Sequence, residues 1–160
     1  MRNIAYDRQA ALNYAQEWAY SRNPKYYDFS NLGGDCTNFI SQCVYAGIRV
    51  MNFTPVTGWY YISASNRTAS WTGAEYFFKF IVNNKGAGPR AIETDMSGII
   101  PGDVIQLSFR DNIFSHSLFV VSVFPEITVA THTFDAYDRP LRTYVYDKIR
   151  FLHITGGVKY

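Results

Sequence analysis

Cysteine is scarce in this chain, and so are most features that announce a protein's chemistry at a glance. Among 160 residues there are two cysteines, Cys36 and Cys43, and three histidines. If both cysteines lie on one helix they are about two turns, roughly 10 Å, apart. That is too far for a disulfide, so two free thiols are expected. No Cys-x-x-Cys or His-x-x-x-His spacing occurs. Zinc sites usually draw on such local ligand pairs, so a metal centre built from Cys36, His116 and His132 is disfavoured. No apolar run approaches the roughly 20 residues that span a bilayer. Met1-Arg2-Asn3-Ile4 lacks the apolar stretch of a signal peptide. The expected location is therefore cytoplasmic, or extracellular if this is a domain cut from a longer exported parent. The net charge is only +2, and Arg139, Arg142, Lys148 and Arg150 are scattered rather than grouped. That leaves no electrostatic footprint for nucleic acid. Repeats, low-complexity tracts and linkers are also missing.

What is present is a chain of one-domain length, spanning residues 1–160, with an aromatic excess. Thirteen tyrosines and 12 phenylalanines raise the aromatic fraction to 18%, enough to fill a core and to line a cleft. A chain of this size buries roughly 70% of its unfolded surface and needs no covalent staple. Ala10, Ala11, Tyr14, Ala15, Trp18 and Ala19 recur at helical spacing and predict a helix over 6–20, stopped by Pro24. A second helix is expected from Cys36 to near Gly47, and a third over 71–83 from Ala74, Phe77, Phe78 and Ile81. Asn84 to Pro89 reads as a breaker. Strands are then expected over 102–109, 116–124 and 127–134, the last two joined as a hairpin. One or two more are expected at 144–146 and 149–154. Helices first and antiparallel strands after give an α+β fold.

The richest segment is Gly33-Gly34-Asp35-Cys36-Thr37-Asn38-Phe39-Ile40-Ser41-Gln42. The glycines make a turn and Cys36 opens an amphipathic helix. Unpaired N–H groups and the helix dipole at that position favour a thiolate, the form in which cysteine is a nucleophile. Cys43 reads as a plain core residue. A cysteine nucleophile needs a base and a group to orient it. His116 opens an apolar strand and is the candidate base. His132 lies on the neighbouring strand and is the candidate orienter, with Asp135 as the competing choice. His153, near the end, reads as structural or exposed. Asp35 has a bland alternative as a helix cap, and Trp59, Tyr60, Tyr61 and Trp71 more often fill a core than a cleft.

The cysteine segment resembles the signature of the family named "Putative amidase domain", which sits among the papain-like NlpC/P60 and CHAP hydrolases of bacterial cell walls. Pro101-Gly102-Asp103-Val104-Ile105 and Ser115-His116-Ser117-Leu118-Phe119-Val120-Val121 are similar, in order, to the two strands that follow in that group. His132-Thr133-Phe134-Asp135 falls where its third polar residue is found. The resemblance covers roughly residues 6–154. It implies a papain-like NlpC/P60-type α+β fold, N-terminal helices packed on a C-terminal antiparallel sheet. It also implies Cys36 as nucleophile, His116 as base and His132 as orienter, with Asp35 and Tyr27 binding a peptide's free amine. Thr37-Asn38 replaces the Ser-Gly that usually follows the cysteine in NlpC/P60 proteins. The implied activity is amide hydrolysis in peptidoglycan peptides through a thioester acyl-enzyme, the oxyanion held partly by the Cys36 N–H, with no metal or organic cofactor. The expected partner is a peptidoglycan or peptide substrate, handled by a monomer without nucleic acid or a membrane span. An acyltransferase using the same residues and a catalytically silent wall-binding module are the competing readings.

Overall fold

The computed structural model describes all 160 residues. Its helices are α1 (Arg8–Trp18), α2 (Cys36–Ile48), α3 (Ala69–Thr72) and α4 (Ala74–Asn83). Its strands are β1 (Arg2–Ile4), β2 (Tyr61–Ser63), β3 (Asn66–Arg67), β4 (Gly88–Thr94), β5 (Val104–Arg110), β6 (Ile113–Ser122), β7 (Thr128–Thr131), β8 (Ala136–Pro140) and β9 (Lys148–Lys159). The architecture is mixed, as expected: helices gathered against an antiparallel sheet.

Seven strands form that sheet in the order β1-β9-β5-β6-β7-β8, with β4 on the other edge of β9. The 12-residue β9 is its spine. Its first half pairs with β5, its last three residues with β1, and its opposite edge with β4. Alternation along β6 sorts the core into two layers. Phe119 joins the helix-side cluster with Ala11, Ala15, Phe39, Ile40 and Phe77. Leu118 and Val120 join a smaller cluster on the far face with Ile105, Leu107, Val129 and Leu141. A strand apolar on both faces is what a sheet covered on both sides requires.

The departures from the sequence reading have local causes. The expected helix over 71–83 breaks at Gly73, whose backbone is extended, so α3 and α4 are separate. A strand begins inside the Asn84–Pro89 breaker, because β4 pairs only with β9 and an edge strand tolerates Pro89. Residues 144–146 are not a strand. A 3-10 turn at Leu141–Thr143 precedes them, and the Tyr144 ring lies 3.8 Å beneath the Arg139 guanidinium, which holds the segment off the sheet. The aromatic cluster is core. Trp59 and Trp71 are fully buried with ring centroids 4.6 Å apart. Trp71 donates to Asn38 Oδ1 and Trp59 to Ser41 Oγ, both on α2.

Asp103, from the Pro-Gly-Asp segment, is a structural hub rather than part of a site. It is fully buried and accepts from Arg8 at 2.8 Å, from the backbone N–H groups of Ile100 and Ile154, and meets His153 Nδ1 at 2.8 Å. Arg8 also donates to the carbonyls of Pro101 and Ile154, so one ion pair joins α1, β5 and β9. Removing one partner of such a pair leaves the other's charge uncompensated. Asp103→Ala is expected to cost about 3 kcal/mol of folding stability, read from the midpoint shift in urea denaturation.

Candidate active site

The chain enters α2 through two left-handed glycines, Gly33 (φ 88°) and Gly34 (φ 102°). Only glycine takes that conformation twice in a row without strain. Asp35 occupies the N-cap position but makes no capping bond, so the cap alternative is corrected. Its carboxylate turns inward instead. Oδ1 accepts from the Phe29 N–H at 2.8 Å and from Asn38 Nδ2 at 2.9 Å. Oδ2 lies 2.5 Å from His132 Nδ1. Both residues are 1% exposed.

His132 is held on all sides. Its Nε2 lies 2.8 Å from the Trp18 carbonyl, and its ring stacks on Phe39 with centroids 4.1 Å apart. A carbonyl can only accept, so Nε2 donates to Trp18. The imidazole thus ties the ends of α1 and β7 to the start of α2, and its contacts are with Asp35 and Trp18 rather than His116. Asp135 pairs with Arg22 through two bonds of 2.9 and 3.1 Å. Arg22 also approaches Asp28 at 3.3 Å and Asp35 at 3.6 Å. Tyr27 sits over this turn. Its N–H donates to Tyr61 Oη, its carbonyl accepts from Asn38, and its ring is half exposed.

Cys36, the first residue of α2, meets the sheet at a gap. Strand β7 stops at Thr131, so β6 has no strand partner on that side at residues 115–117. The thiol fills the space. It lies 3.8 Å from the Ser115 carbonyl and also accepts from the Ser117 N–H. The nucleophile candidate therefore rests against the backbone on both sides of His116. The alignment is held by a buried polar chain that the sequence reading missed. Thr37 Oγ1 lies 2.9 Å from Ser117 Oγ, which accepts from Gln106 Nε2, whose Oε1 accepts from Arg150. Its signal was polar residues on the buried, helix-facing side of apolar strands.

His116 is 8% exposed and shares the far face with Leu107 and Leu118. It opens onto a cavity of about 380 Å³ lined by Phe109, Thr133, Phe134, Arg139 and Tyr144 among others. Thr133 Oγ1 stands over Gly34, so this cavity borders the turn that delivers Cys36. No protein group hydrogen-bonds the His116 ring.

Electrostatics change the expected protonation. Burial pushes the Cys36 thiol up, against the bonds from Ser117 and Thr37, and Asp35 pushes it further up. Burial and the nearby Arg139 cation push His116 down to about 4. The helix-start thiolate is thus opposed: burial favours the neutral form of each group. Cys43 is fully buried and its thiol is pushed well up by desolvation.

With this geometry in view, the chain belongs to the family described as "Putative amidase domain", whose model matches residues 5–155. The family's description points to amide hydrolysis. Two relatives from Bacillus subtilis (strain 168) are similar to it. "Uncharacterized protein YhbB" is 39% identical over 125 residues, covering 76% of this chain and 39% of the relative. "Uncharacterized protein YjcM" is 27% identical over 164 aligned positions, covering 97% of this chain and 36% of the relative. The chain therefore spans well under half the length of these relatives. No solved structure gives a significant match. No helix is long and apolar enough to cross a membrane.

The raised thiol has a direct readout. Iodoacetamide labelling of Cys36, located by mass spectrometry, is expected to keep accelerating above pH 8.5, the ordinary thiol range. A plateau below pH 8 would show a resting thiolate instead. Cys43 is expected to stay unlabelled while the protein is folded.

Proposed function

We propose that this chain is a cysteine amidase or peptidase with a papain-like, NlpC/P60-type site, acting on amide bonds of bacterial cell-wall peptides. The observation that carries the reading is the seating of Cys36, at a helix start, against the strand residues that flank His116. The family's amidase description and the motif resemblance support the reaction class, and the wall-peptide substrate rests on the resemblance. Cys36 is the nucleophile and His116 the base. His132 acts on the nucleophile's side: through Asp35 it holds the turn that presents Cys36. Asp35 is a positioning residue by the same contacts, and the exposed Tyr27 ring is the candidate for touching the peptide's amine end.

The reaction starts from the neutral pair. His116, unprotonated at neutral pH, takes the thiol proton as Cys36 Sγ attacks the amide carbonyl. The carbonyl π electrons move to oxygen. N–H groups of the first helical turn, Cys36's included, have no intrahelical partner and can hold that oxyanion. As the oxyanion collapses, the C–N bond breaks and imidazolium returns the proton to the leaving amine. Water, deprotonated by His116, then attacks the thioester and frees the acid and the thiol.

Cys36→Ala is expected to abolish release of amines from purified peptidoglycan or its stem peptides, a loss of at least about 10³-fold. His116→Ala is expected to lose about 10²- to 10⁴-fold. Unchanged hydrolysis by Cys36→Ala would refute the reading. Because His116 works unprotonated, kcat/KM is expected to rise with pH through about 4, well below the ordinary histidine value. A pH–rate profile whose acid limb sits near 6.5 would contradict this assignment.

A further inference from the structure

The His116 cavity contains a cation without a counterion. Arg139 is one of the arginines that form no ion pair, unlike Arg8, Arg22, Arg142 and Arg150, and it is the one that lines this cavity. It is nevertheless held firmly. Its Nε donates to Thr143 Oγ1 at 2.8 Å, one Nη donates to the Thr143 carbonyl at 3.2 Å, and its guanidinium lies over the Tyr144 ring. Those contacts leave the other Nη unused. Beside it, the Tyr144 hydroxyl is buried next to Arg139. Both residues line the cavity with His116. Phe109 and Phe134 complete its walls, and no acidic residue lines it.

A side chain fixed by neutral acceptors and an aromatic face, with donors left over, is arranged to receive an anion. The chemistry makes the same demand. During turnover His116 becomes imidazolium in a cavity that already holds Arg139, and the two cations repel. Nothing in the cavity offsets that charge, and the depressed proton affinity of His116 reflects it in part. A negative group on the substrate would offset it at the moment the proton is carried.

We propose that Arg139 is an anion-recognising residue of this site, and that the amide substrate carries a carboxylate that docks on it beside His116. This rests on Cys36 and His116 being the reacting pair. The substrate class narrows accordingly from peptide amides in general to those with a carboxylate close to the scissile bond.

Two alkylating probes test this without a known substrate. Iodoacetate and iodoacetamide both place a CH₂ group on the Cys36 sulfur with loss of iodide, and differ in carrying a carboxylate or a carboxamide. Their rate ratio at Cys36 is measured at pH 9 and low salt, by mass spectrometry, and normalised to the ratio for 2-mercaptoethanol. Wild type is expected to favour iodoacetate by roughly three- to tenfold, the range of a single charge contact in a half-exposed site. The preference is expected to vanish in Arg139→Gln, to survive largely in Arg139→Lys, and to shrink with added salt. Equal normalised ratios in wild type and Arg139→Gln, with Cys36 labelled readily, overturn the anion site and leave the nucleophile standing. Failure of either reagent to label Cys36 overturns the nucleophile reading, and the anion site with it.

Discussion

The approach of α2 to the sheet depends on one buried contact, the carboxylate of Asp35 against the imidazole of His132. Both groups are almost wholly removed from water, where an unpaired partner would be costly. Each is therefore held by several bonds: Asp35 by Phe29 and Asn38, His132 by Trp18 and the face of Phe39. The result is a fixed junction of α1, α2 and β7. Asn38 passes the constraint on to Tyr27 and to the buried Trp71. Cys36 is the next residue along, so its position is set by a contact in which it takes no part.

The second constraint is the early end of β7. Had that strand continued, its backbone would have covered β6 at residues 115–117. Because it stops at Thr131, the thiol reaches the backbone of β6 at the residues flanking His116. The left-handed residues Thr133 and Phe134 turn the chain away from the gap. The Thr37–Ser117–Gln106–Arg150 chain then sets how far α2 slides along β6. Site geometry here is a property of where one strand ends and which polar groups were left inside.

Much of the scaffold was legible in the sequence, because helix periodicity and alternating strands are local signals. Ala11 and Ala15 mark the buried face of α1, and Leu118 and Val120 mark one face of β6, as their spacing implied. The placements of Cys36 at a helix start and of His116 in an apolar strand were legible too. Other features were not. Pro89 conceals β4, because only pairing partners reveal an edge strand. Tyr144-Val145-Tyr146 has strand composition, yet Arg139 captures its first ring. His132 and Asp35 lie 97 positions apart, and no spacing rule links them. The balance of burial against helix dipole at Cys36 is a matter of solvent access, which a sequence does not print.

The protonated state of Cys36 bears on durability. Peroxide and other oxidants attack thiolates far faster than thiols, and that first step begins the descent through sulfenic to irreversible acids. A sulfur kept neutral by desolvation, seated between backbone groups of β6, is a poor target for them. Under the proposed mechanism, the same desolvation that holds the Cys36 thiol neutral would slow its oxidation between turnovers, where a permanently ionised cysteine would be attacked readily.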